Sequence, residues 1–427
     1  MSQAKRRWWA FCLVFVPAAA LLVIAVLWIA RAYLAYRVSL NPTISNLKIA
    51  VRLDPGDADY HLQLGRLYEY TVTNTHPRQA VEQFQQAVRL DPWNPQAWLD
   101  LSASLELQGE MAGATSTLQR ANYLAPDIPA YQWPIGNFYL LQGKTEDAFR
   151  HFKTVLSGSS GYDGIIFSMA WKASNDPTQI LNELIPPEIP VEFRYLDFLG
   201  SQKRFDDART VWNRIIGSSG KFDASAATNY INQLLFADHP RQAYQVWSDL
   251  MNRGLVKGPS PEPKGNLITD SRFERPLLGM GFGWRADNVP GVYVGRDTSQ
   301  FHSPSHSVLI QFSGHQNLDY HQFYQFVLLA PNRSYHLEAF LKTDHITTDS
   351  GPRIEVHDFY NPQALDQFSP DFTGTSGGWI PISLNFHTGP KTTLVAVGVA
   401  RLPSQKLDNK IAGRVWIDDV TLTPASP

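Results

Sequence analysis

The chain contains one short motif typical of a nucleophilic hydrolase. Residues 374–378 read Gly-Thr-Ser-Gly-Gly and match the G-x-S-x-G nucleophile elbow, whose serine attacks a carbonyl carbon. That motif works only at a sharp turn from a strand into a helix. Here it lies in a loop rich in Gly, Ser and Thr that leads into the strand-like segment Trp379–Phe386. We therefore predict an ordinary loop and no catalytic serine.

Histidines are concentrated in the last third of the chain, which holds eight of the twelve. His302 and His306 are four residues apart, but Pro304 between them disfavours a shared helical face. The sequence has neither an H-E-x-x-H motif nor a three-ligand spacing, so we expect structural or surface histidines. A glycosidase of the cell envelope stays open as an alternative to the two binding functions predicted below. The two catalytic carboxylates of a glycosidase need to be adjacent only in space, so a sequence pattern cannot exclude them.

Cysteine and charge restrict the chemistry further. Cys12 is the only cysteine and lies in an apolar N-terminal segment, so the rest of the chain has no disulfide and no thiolate. Residues 38–427 carry 32 basic and 39 acidic residues, a formal charge of −7. A duplex-binding protein needs a basic surface to displace counterions, so nucleic acid is not an expected partner.

The apolar N-terminal segment has the length of a membrane span. Trp8–Ala30 comprises 23 residues without a charged side chain. As a helix it would be roughly 34 Å long, enough for a hydrocarbon core of ~30 Å. The alternative is a cleavable secretory signal, whose apolar core is usually only ~7–15 residues long. We predict that residues 1–38 are a short tail and an uncleaved transmembrane anchor.

Basic residues indicate the direction of insertion. Lys5, Arg6 and Arg7 precede the span, whereas Arg31 and Arg37 follow it. By the positive-inside rule the N-terminus stays in the cytoplasm. We therefore expect a single-pass protein of the inner (cytoplasmic) membrane, with its C-terminal domains on the periplasmic or extracellular side.

Residues 39–256 contain an internal repeat of 34 residues. In each copy a small residue permits close helix crossing and a large residue four positions later fills the space between helices. Proline ends each second helix, because it cannot continue the hydrogen-bond ladder. The small and large pairs are Ala80/Phe84, Ala114/Leu118 and Ala148/Phe152. This pattern resembles the tetratricopeptide repeat family, and Ala208 and Ala243 extend it to five or six units.

The resemblance implies that the inward faces of the first helices line an exposed groove that binds a protein partner. Leu62, Leu99, Ala103 and Leu141 match positions on that face. The predicted protein-binding residues are Arg66, Glu69, Tyr70, Glu106, Trp133 and Asn137.

A Pro-rich linker, residues 257–265, separates the helical array from a β domain, residues 266–427. After the linker the hydrophobic period changes from about 3.6 to 2. In Ser307–Phe312, for example, Val308, Ile310 and Phe312 share one face. Short alternating segments separated by Gly, Pro and Asn turns indicate an antiparallel β-sandwich. The fold class is therefore multidomain α + β: one transmembrane helix, an all-α solenoid and a sandwich.

Several landmarks make the β domain more specific. It opens with Asn266–Glu274, has Gly-Trp pairs ending at Trp284 and Trp379, and closes with Val415–Leu422. These landmarks resemble the jelly-roll, galactose-binding-like carbohydrate-binding modules appended to bacterial xylanases and cellulases. The resemblance implies a sandwich that binds glycan, with both tryptophans in its core.

The same resemblance implies two sets of site residues. A structural calcium would tie the first strand to the last through Glu274 and Asp418 or Asp419, with backbone carbonyls completing its oxygen ligands. The alternative is that these acids are solvated. The predicted sugar-contacting residues are Tyr293, Tyr320, His321 and Tyr324.

Together these features predict a membrane-anchored, non-catalytic scaffold of the cell envelope, acting in exopolysaccharide or cell-envelope assembly. The solenoid would hold a protein partner and the sandwich would bind polysaccharide. The rival prediction is a pure protein-interaction scaffold whose sandwich is structural or caps the solenoid.

Overall fold

The computed structural model describes residues 3–70, 76–259 and 264–425, with side chains from residue 15 onward. The chain divides into two compact units, Met1–Pro186 and Pro187–Pro427. The first is helical, and the second combines helices with a β-sandwich. The domain bounds predicted from the sequence (1–38, 39–256, 257–265 and 266–427) are not tested by this division and stay a prediction. Part of the predicted linker, residues 260–263, lies outside the described residues.

The first unit is a series of helix pairs that begins with a long apolar helix. Helix α1 runs unbroken through Pro17, and its Phe15–Ser39 portion is long and apolar enough to cross a membrane. The helices of this unit are α1 (Gln3–Ser39), α2 (Ile44–Leu53), α3 (Ala58–Tyr70), α4 (Pro77–Leu90), α5 (Pro95–Leu107), α6 (Met111–Leu124), α7 (Pro129–Leu141), α8 (Thr145–Gly158), α9 (Asp163–Ala173) and α10 (Pro177–Gln179), with a π-helical turn at Ile180–Leu184.

Close helix crossing explains the small residues of the repeat. A Cβ atom on Gly136 would lie 2.5 Å from the ring of Phe152, and one on Gly65 would lie 2.6 Å from the ring of Phe84. In the pair between them, Ser102 takes the glycine position, and its Oγ donates to Ala114 O at 2.8 Å. The alanines and large residues predicted to pack between helices are all buried. The repeat register is therefore confirmed.

In four of the described pairs the two helices are joined by the same turn. The second of the three residues between the helices has a left-handed backbone, which lets the following N–H reach a carbonyl five residues back and close the first helix. In the α5–α6 turn, for example, Glu110 N donates to Leu105 O at 2.9 Å. The left-handed residues are Gly109 (φ 79°), Gly143 (φ 72°), Lys203 (φ 58°) and Asp238 (φ 61°).

The last two of these turns belong to the second unit, whose two helix pairs continue the repeat. Its helices are α11 (Ile189–Ser201), α12 (Phe205–Gly217), α13 (Thr228–Phe236) and α14 (Pro240–Asn252), with a 3-10 turn at Ala224–Ala227. Counting the end of α1 with α2, the described residues form seven pairs, one more than the upper value expected from the sequence.

The sandwich has two five-stranded antiparallel sheets. Sheet A has the order β1-β4-β9-β6-β7, and sheet B the order β2-β3-β10-β5-β8. The strands are β1 (Arg285–Ala286), β2 (Val292–Asp297), β3 (Ser307–Ser313), β4 (Tyr320–Leu328), β5 (Ser334–Asp344), β6 (Arg353–Asp358), β7 (Asp366–Phe368), β8 (Ile380–His387), β9 (Leu394–Arg401) and β10 (Ala412–Pro424).

The alternating apolar residues of these strands meet between the sheets. Val308, Ile310 and Phe312 are buried there, which confirms the predicted face of β3. The opening segment of the domain runs beside the closing strand, because Leu267 N donates to Leu422 O at 2.8 Å. The sandwich predicted from the period-2 pattern is thus confirmed.

Candidate functional site

The open faces of α3, α5 and α7 form the surface that we call the groove. At its edge the last residue of each helix is apolar and exposed: Tyr70 (67%), Leu107 (73%) and Leu141 (80%). These three occupy the same position in successive repeats. Leu107 was not among the predicted binding residues, although the repeat period places it in register with Tyr70. Exposed apolar side chains at one repeated position are typical of an interaction surface.

Charged side chains lie beside this apolar row. Arg66 Nε is 2.6 Å from Asp100 Oδ2, so the ion pair joins α3 to α5. Burial raises the pKa of Glu69, and the charge of Asp100 raises it further, while a hydrogen bond with Ser104 opposes the rise. Burial also raises the pKa of Glu106. Three acids and one arginine give the groove a net negative charge.

One polar atom in the groove lacks a partner. Glu69 Oε2 is buried and has no hydrogen-bond partner among the described residues. An unpaired buried acceptor is costly, so a donor from a bound partner would be favourable there. Asn137, which takes the repeat position of Arg66, is partly buried in α7.

The deeper predicted groove residues are packing residues instead. Trp133 is partly buried, stacked on Tyr162 with ring centroids 4.6 Å apart, and 5.5 Å from Phe152. Leu62 and Leu99, at the same repeat position, are buried. The expectation that Leu62 and Leu99 face the groove was therefore wrong, because both side chains are buried in the helical core. The binding role of Trp133 stays a prediction.

The predicted calcium ligands all contact the loop 302–306. Asp418 Oδ2 accepts hydrogen bonds from His302 N at 2.8 Å and Ser303 N at 2.9 Å. Asp419 Oδ2 lies 2.6 Å from His302 Nδ1, and Glu274 Oε2 lies 3.0 Å from His306 Nδ1. The three acids therefore contact one loop, and Asp418 and Asp419 hold it against the middle of β10.

Their electrostatics differ. Burial raises the pKa of Asp418 to about 6, although three backbone N–H donors oppose the rise. Burial alone would raise the pKa of Glu274. Hydrogen bonds from Ser305 and His306 outweigh burial and hold this pKa below the ordinary value. Glu274 Oε1 is buried without a partner and could accept a cation. Among the described residues, no three His, Cys, Asp or Glu side chains are arranged to hold a metal ion. Calcium stays a prediction.

The predicted sugar-contacting residues do not share one face. Tyr293 is exposed on β2, at the edge of sheet B, whereas the other three lie on β4 of sheet A. Tyr320 is fully buried in the core, so its expected exposure was wrong. An irregularity between Tyr320 and Phe323 turns both of these side chains inward.

His321 and Tyr324 are partly buried on the outer side of sheet A. His321 Nδ1 lies 2.7 Å from Glu355 Oε2, and His357 pairs with the other oxygen of Glu355 at 3.1 Å. The hydrogen bond with Glu355 raises the pKa of His321, with burial opposing it. Burial alone would raise the pKa of Glu355. Its two histidine partners outweigh burial and lower this pKa to about 2. This network ties β4 to β6 across β9.

Helices α13 and α14 cover much of the outer face of sheet A. Phe326 is buried there beneath Phe359, whose ring lies 5.8 Å from that of Phe236 in α13. Arg285 Nη2 donates to Asn232 Oδ1 at 2.9 Å, and its guanidinium lies over the Phe326 ring. No periodic pattern in the sequence indicated these contacts.

The α14 side of this interface is equally close. A Cβ atom on Gly281 would lie 2.5 Å from the ring of Trp247, and Phe282 packs against the same ring. On the α13 side, Tyr360 Oη donates to Leu235 O at 2.7 Å. The last helix pair and the sandwich therefore share one buried interface within the second unit.

The serine of the G-x-S-x-G match lies in a loop. Ser376 Oγ donates to Gly378 O at 2.7 Å, and the chain continues into strand β8. The strand-to-helix turn that the nucleophile elbow needs is replaced by a loop-to-strand connection, as expected.

Comparison with known proteins agrees with the repeat analysis. Residues 74–132 match the family model described as tetratricopeptide repeat. The helix pairs of the chain are thus similar to tetratricopeptide repeats, and the family match itself spans residues 74–132. No curated protein matches the chain.

Similar solved structures each cover one region of the chain. MamA is 18% identical over 40% of this chain and 84% of its own, with a TM-score of 0.26. A CBM4 structure is 16% identical over 37% of this chain and 99% of its own, with a TM-score of 0.27. The CBM22-1 xylan-binding domain of Paenibacillus barcinonensis Xyn10C is 12% identical over 38% of this chain and 97% of its own, with a TM-score of 0.28.

Proposed function

We propose that this chain is a membrane-anchored, non-catalytic scaffold of the cell envelope that binds a protein partner in the groove of its first unit. The observation that carries the proposal is the row Tyr70, Leu107 and Leu141, which is apolar, exposed and repeated. Beside it lie three acids and the unpartnered Glu69 Oε2. The fitting partner is a segment that offers apolar side chains together with N–H donors or basic groups.

The proposed location is the inner membrane, with one pass and the C-terminal units on the periplasmic or extracellular side. Support comes from the exposed, apolar Phe15–Ser39 portion of α1 and from the basic residues Lys5, Arg6 and Arg7 near the start of that helix. A reporter that is active only outside the cytoplasm, fused after Pro427, should be active. Activity of a cytoplasm-only reporter at that position would overturn the orientation.

The groove is tested in the full chain. Tyr70→Ala combined with Leu141→Ala should weaken binding to a partner identified with the unmodified protein by at least ~30-fold, since truncating a hot spot costs ~2 kcal/mol or more. Tyr123→Ala is the matched control, because Tyr123 is 71% exposed but lies on the second helix of its pair. Unchanged affinity of the folded double variant would exclude the groove.

We further propose that the sandwich binds glycan and that the scaffold acts in exopolysaccharide or cell-envelope assembly. Tyr293 is the exposed aromatic ring that could stack on a sugar. The full chain should bind polysaccharides on a glycan array, and Tyr293→Ala should reduce that binding while Tyr123→Ala should not. Absence of glycan binding by the folded chain would favour the alternative below.

A specific observation favours a second candidate, a pure protein-interaction scaffold with a structural sandwich. Helices α13 and α14 bury Phe326 and Arg285 on the outer face of sheet A. In this alternative the sandwich closes the end of the repeat array. This alternative predicts that the Tyr70→Ala, Leu141→Ala variant loses partner binding while the unmodified chain binds no polysaccharide on the array. Polysaccharide binding that Tyr293→Ala reduces would favour the first proposal instead.

A further inference from the structure

The apolar helix continues into the first repeat without interruption. The predicted span ends at Ala30, yet α1 remains helical to Ser39. Ala35, in this continuation, is completely buried against Ala50 and Tyr60. Arg31 Nη2 also donates to Arg52 O at 3.4 Å. The end of α1 is therefore the first helix of the first repeat pair.

This continuity fixes where the first repeat must lie if α1 spans a membrane. The last nine residues of α1 rise roughly 14 Å beyond Ala30 at 1.5 Å per residue. The turn that follows is tied down, because Asn46 Nδ2 donates to Asn41 O at 2.9 Å and Asn46 N donates to Thr43 Oγ1 at 3.1 Å. Helix α2 then runs back along α1, since Arg52 near its end contacts Arg31. The last turn of α2 consequently lies close to the point where α1 leaves the hydrocarbon.

The residues in this position are more basic than the average of the chain. Residues 31–53 carry four basic side chains and no acidic one, although the chain as a whole has a net negative charge. All four basic side chains are exposed. The exposed large apolar side chains of the same segment are Tyr33, Leu34, Tyr36, Leu40 and Ile49.

Exposed tyrosines and aliphatic side chains mixed with basic ones are unfavourable in water but suit the headgroup region of a bilayer. Tyrosine rings concentrate at that interface, and each nearby Lys or Arg gains attraction to anionic lipid. We propose that residues 31–53, the basic collar, lie on the membrane surface and bind the phosphates of anionic phospholipids. This inference rests on the proposed membrane anchor.

The test uses the full chain in lipid nanodiscs with spin labels. In a Cys12→Ser background, Tyr36→Cys or Ile49→Cys places a label on the collar, and Leu141→Cys places a control label in the groove. Labels on the collar should be accessible to oxygen and shielded from a water-soluble nickel complex, whereas position 141 should be open to nickel. The shielding should increase when phosphatidylglycerol replaces part of the phosphatidylcholine.

Charge removal provides the second arm. Lys48→Gln with Arg52→Gln should raise nickel accessibility at position 49 several-fold, whereas Arg78→Gln with Arg89→Gln on α4 should leave it unchanged. Circular dichroism will show whether the Lys48→Gln, Arg52→Gln variant keeps its fold. If it does not, the effect of phosphatidylglycerol on the unmodified collar is the test of lipid binding. Nickel-open labels at 36 and 49 in both lipids would overturn the collar.

Other outcomes separate the collar from the anchor and from a protein contact. Extraction of the chain from membranes by sodium carbonate would overturn the proposed anchor and the collar with it. A chain that resists carbonate but has water-exposed collar labels would overturn the collar alone. The collar labels could instead stay shielded from nickel in detergent and be unaffected by the share of phosphatidylglycerol. That result would identify a protein contact, such as a second copy, and would overturn the lipid assignment.

Discussion

The groove of the first unit and the outer face of sheet A in the second unit are both surfaces where a ligand could lie. In the groove, Tyr70 and Leu141 remain exposed, and no described segment packs over them. On sheet A, the chain's own helices cover Phe326 and the Arg285 side chain. One surface is open and the other is largely used by the fold.

The difference follows from how each architecture buries apolar surface. A repeat helix buries only the faces that meet its neighbours, so the groove side can carry any residue. Strand β9 is apolar on both faces: Ala396 and Ala400 lie outward, and Val397 lies in the core. A strand that is apolar on both faces needs a cover on both sides. Helices α13 and α14 cover the part of this face around Phe326 and Arg285. We therefore expect the sandwich to depend on the last repeats.

The largest expected effect tests that dependence. Trp247→Ala should destabilise the second unit by ~3–5 kcal/mol, because a fully buried indole leaves a cavity against Gly281 and Phe282. Hydrogen exchange by mass spectrometry should become faster in α13, β4 and β9 together, and stay unchanged in α5–α8. Trp93→Ala, which removes an exposed indole, is the control. Faster exchange in α13 and α14 with an unaffected sandwich would contradict the shared interface.

The next effect concerns a second support of the sandwich, the predicted calcium. If calcium is bound well above its dissociation constant, chelation should lower the unfolding free energy of the second unit by ~3 kcal/mol. Glu274→Ala should abolish the response to chelator. Glu338→Ala is a matched control, since Glu338 also pairs with a histidine but lies elsewhere on sheet B. An unchanged melting curve with chelator would remove calcium from the account.

The sequence predicted the repeated elements well because their period repeats the same packing. The residues Ala80, Ala114 and Ala148 have one environment each time, so spacing alone locates them. Leu107 was missed because a leucine at the end of a helix has the same composition signal whether it packs or not. The packing of the end of α1 as the first helix of a repeat pair was missed, because residues 31–38 were assigned to the anchor while Ala35 is buried against Ala50 and Tyr60.

The sandwich faces were harder to predict for a different reason. Alternation assigns Tyr320 and Tyr324 to the same side of β4, but the irregularity between Tyr320 and Phe323 reverses the side of Tyr320. A single extra residue changes which face a side chain takes. The helix contacts of Arg285, Phe359 and Tyr360 involve elements distant in sequence, for which no local pattern exists.

A moderate effect tests the packing of the solenoid. Gly136→Ala should cost ~1–3 kcal/mol, because the added Cβ would meet the Phe152 ring at 2.5 Å and force it to move. Gly164→Ala in α9 is the matched control, since a Cβ there meets nothing within 4 Å. Thermal unfolding of the full chain should show a lower melting temperature for the first variant only. Equal melting temperatures would mean that the repeat tolerates a wider helix crossing.

The smallest effect distinguishes the two regions by pH. In the solenoid, burial lowers the pKa of His151 from 6.5 to about 4, and the charge of Arg150 acts in the same direction. Between these values the unfolded chain binds a proton that the folded chain does not, so the stability of the first unit should fall as pH falls from about 6.5 to 4. After allowance for partial solvent screening, the loss should be on the order of 1 kcal/mol.

In the sandwich, His321 should give the opposite pH dependence of stability. Its hydrogen bond with Glu355 raises the pKa, so this contribution is complete below the ordinary histidine pKa and is lost as pH rises through the raised value. Hydrogen exchange of both units across pH 4–8, corrected for the intrinsic exchange rate, would follow the two effects separately. His151→Phe should remove the acid-side loss in the first unit, because phenylalanine can keep the stack on Tyr139 without titrating. His321→Gln should remove the alkaline-side loss in the second unit. If both units respond in the same direction and neither variant changes its slope, these two histidines do not control the pH dependence.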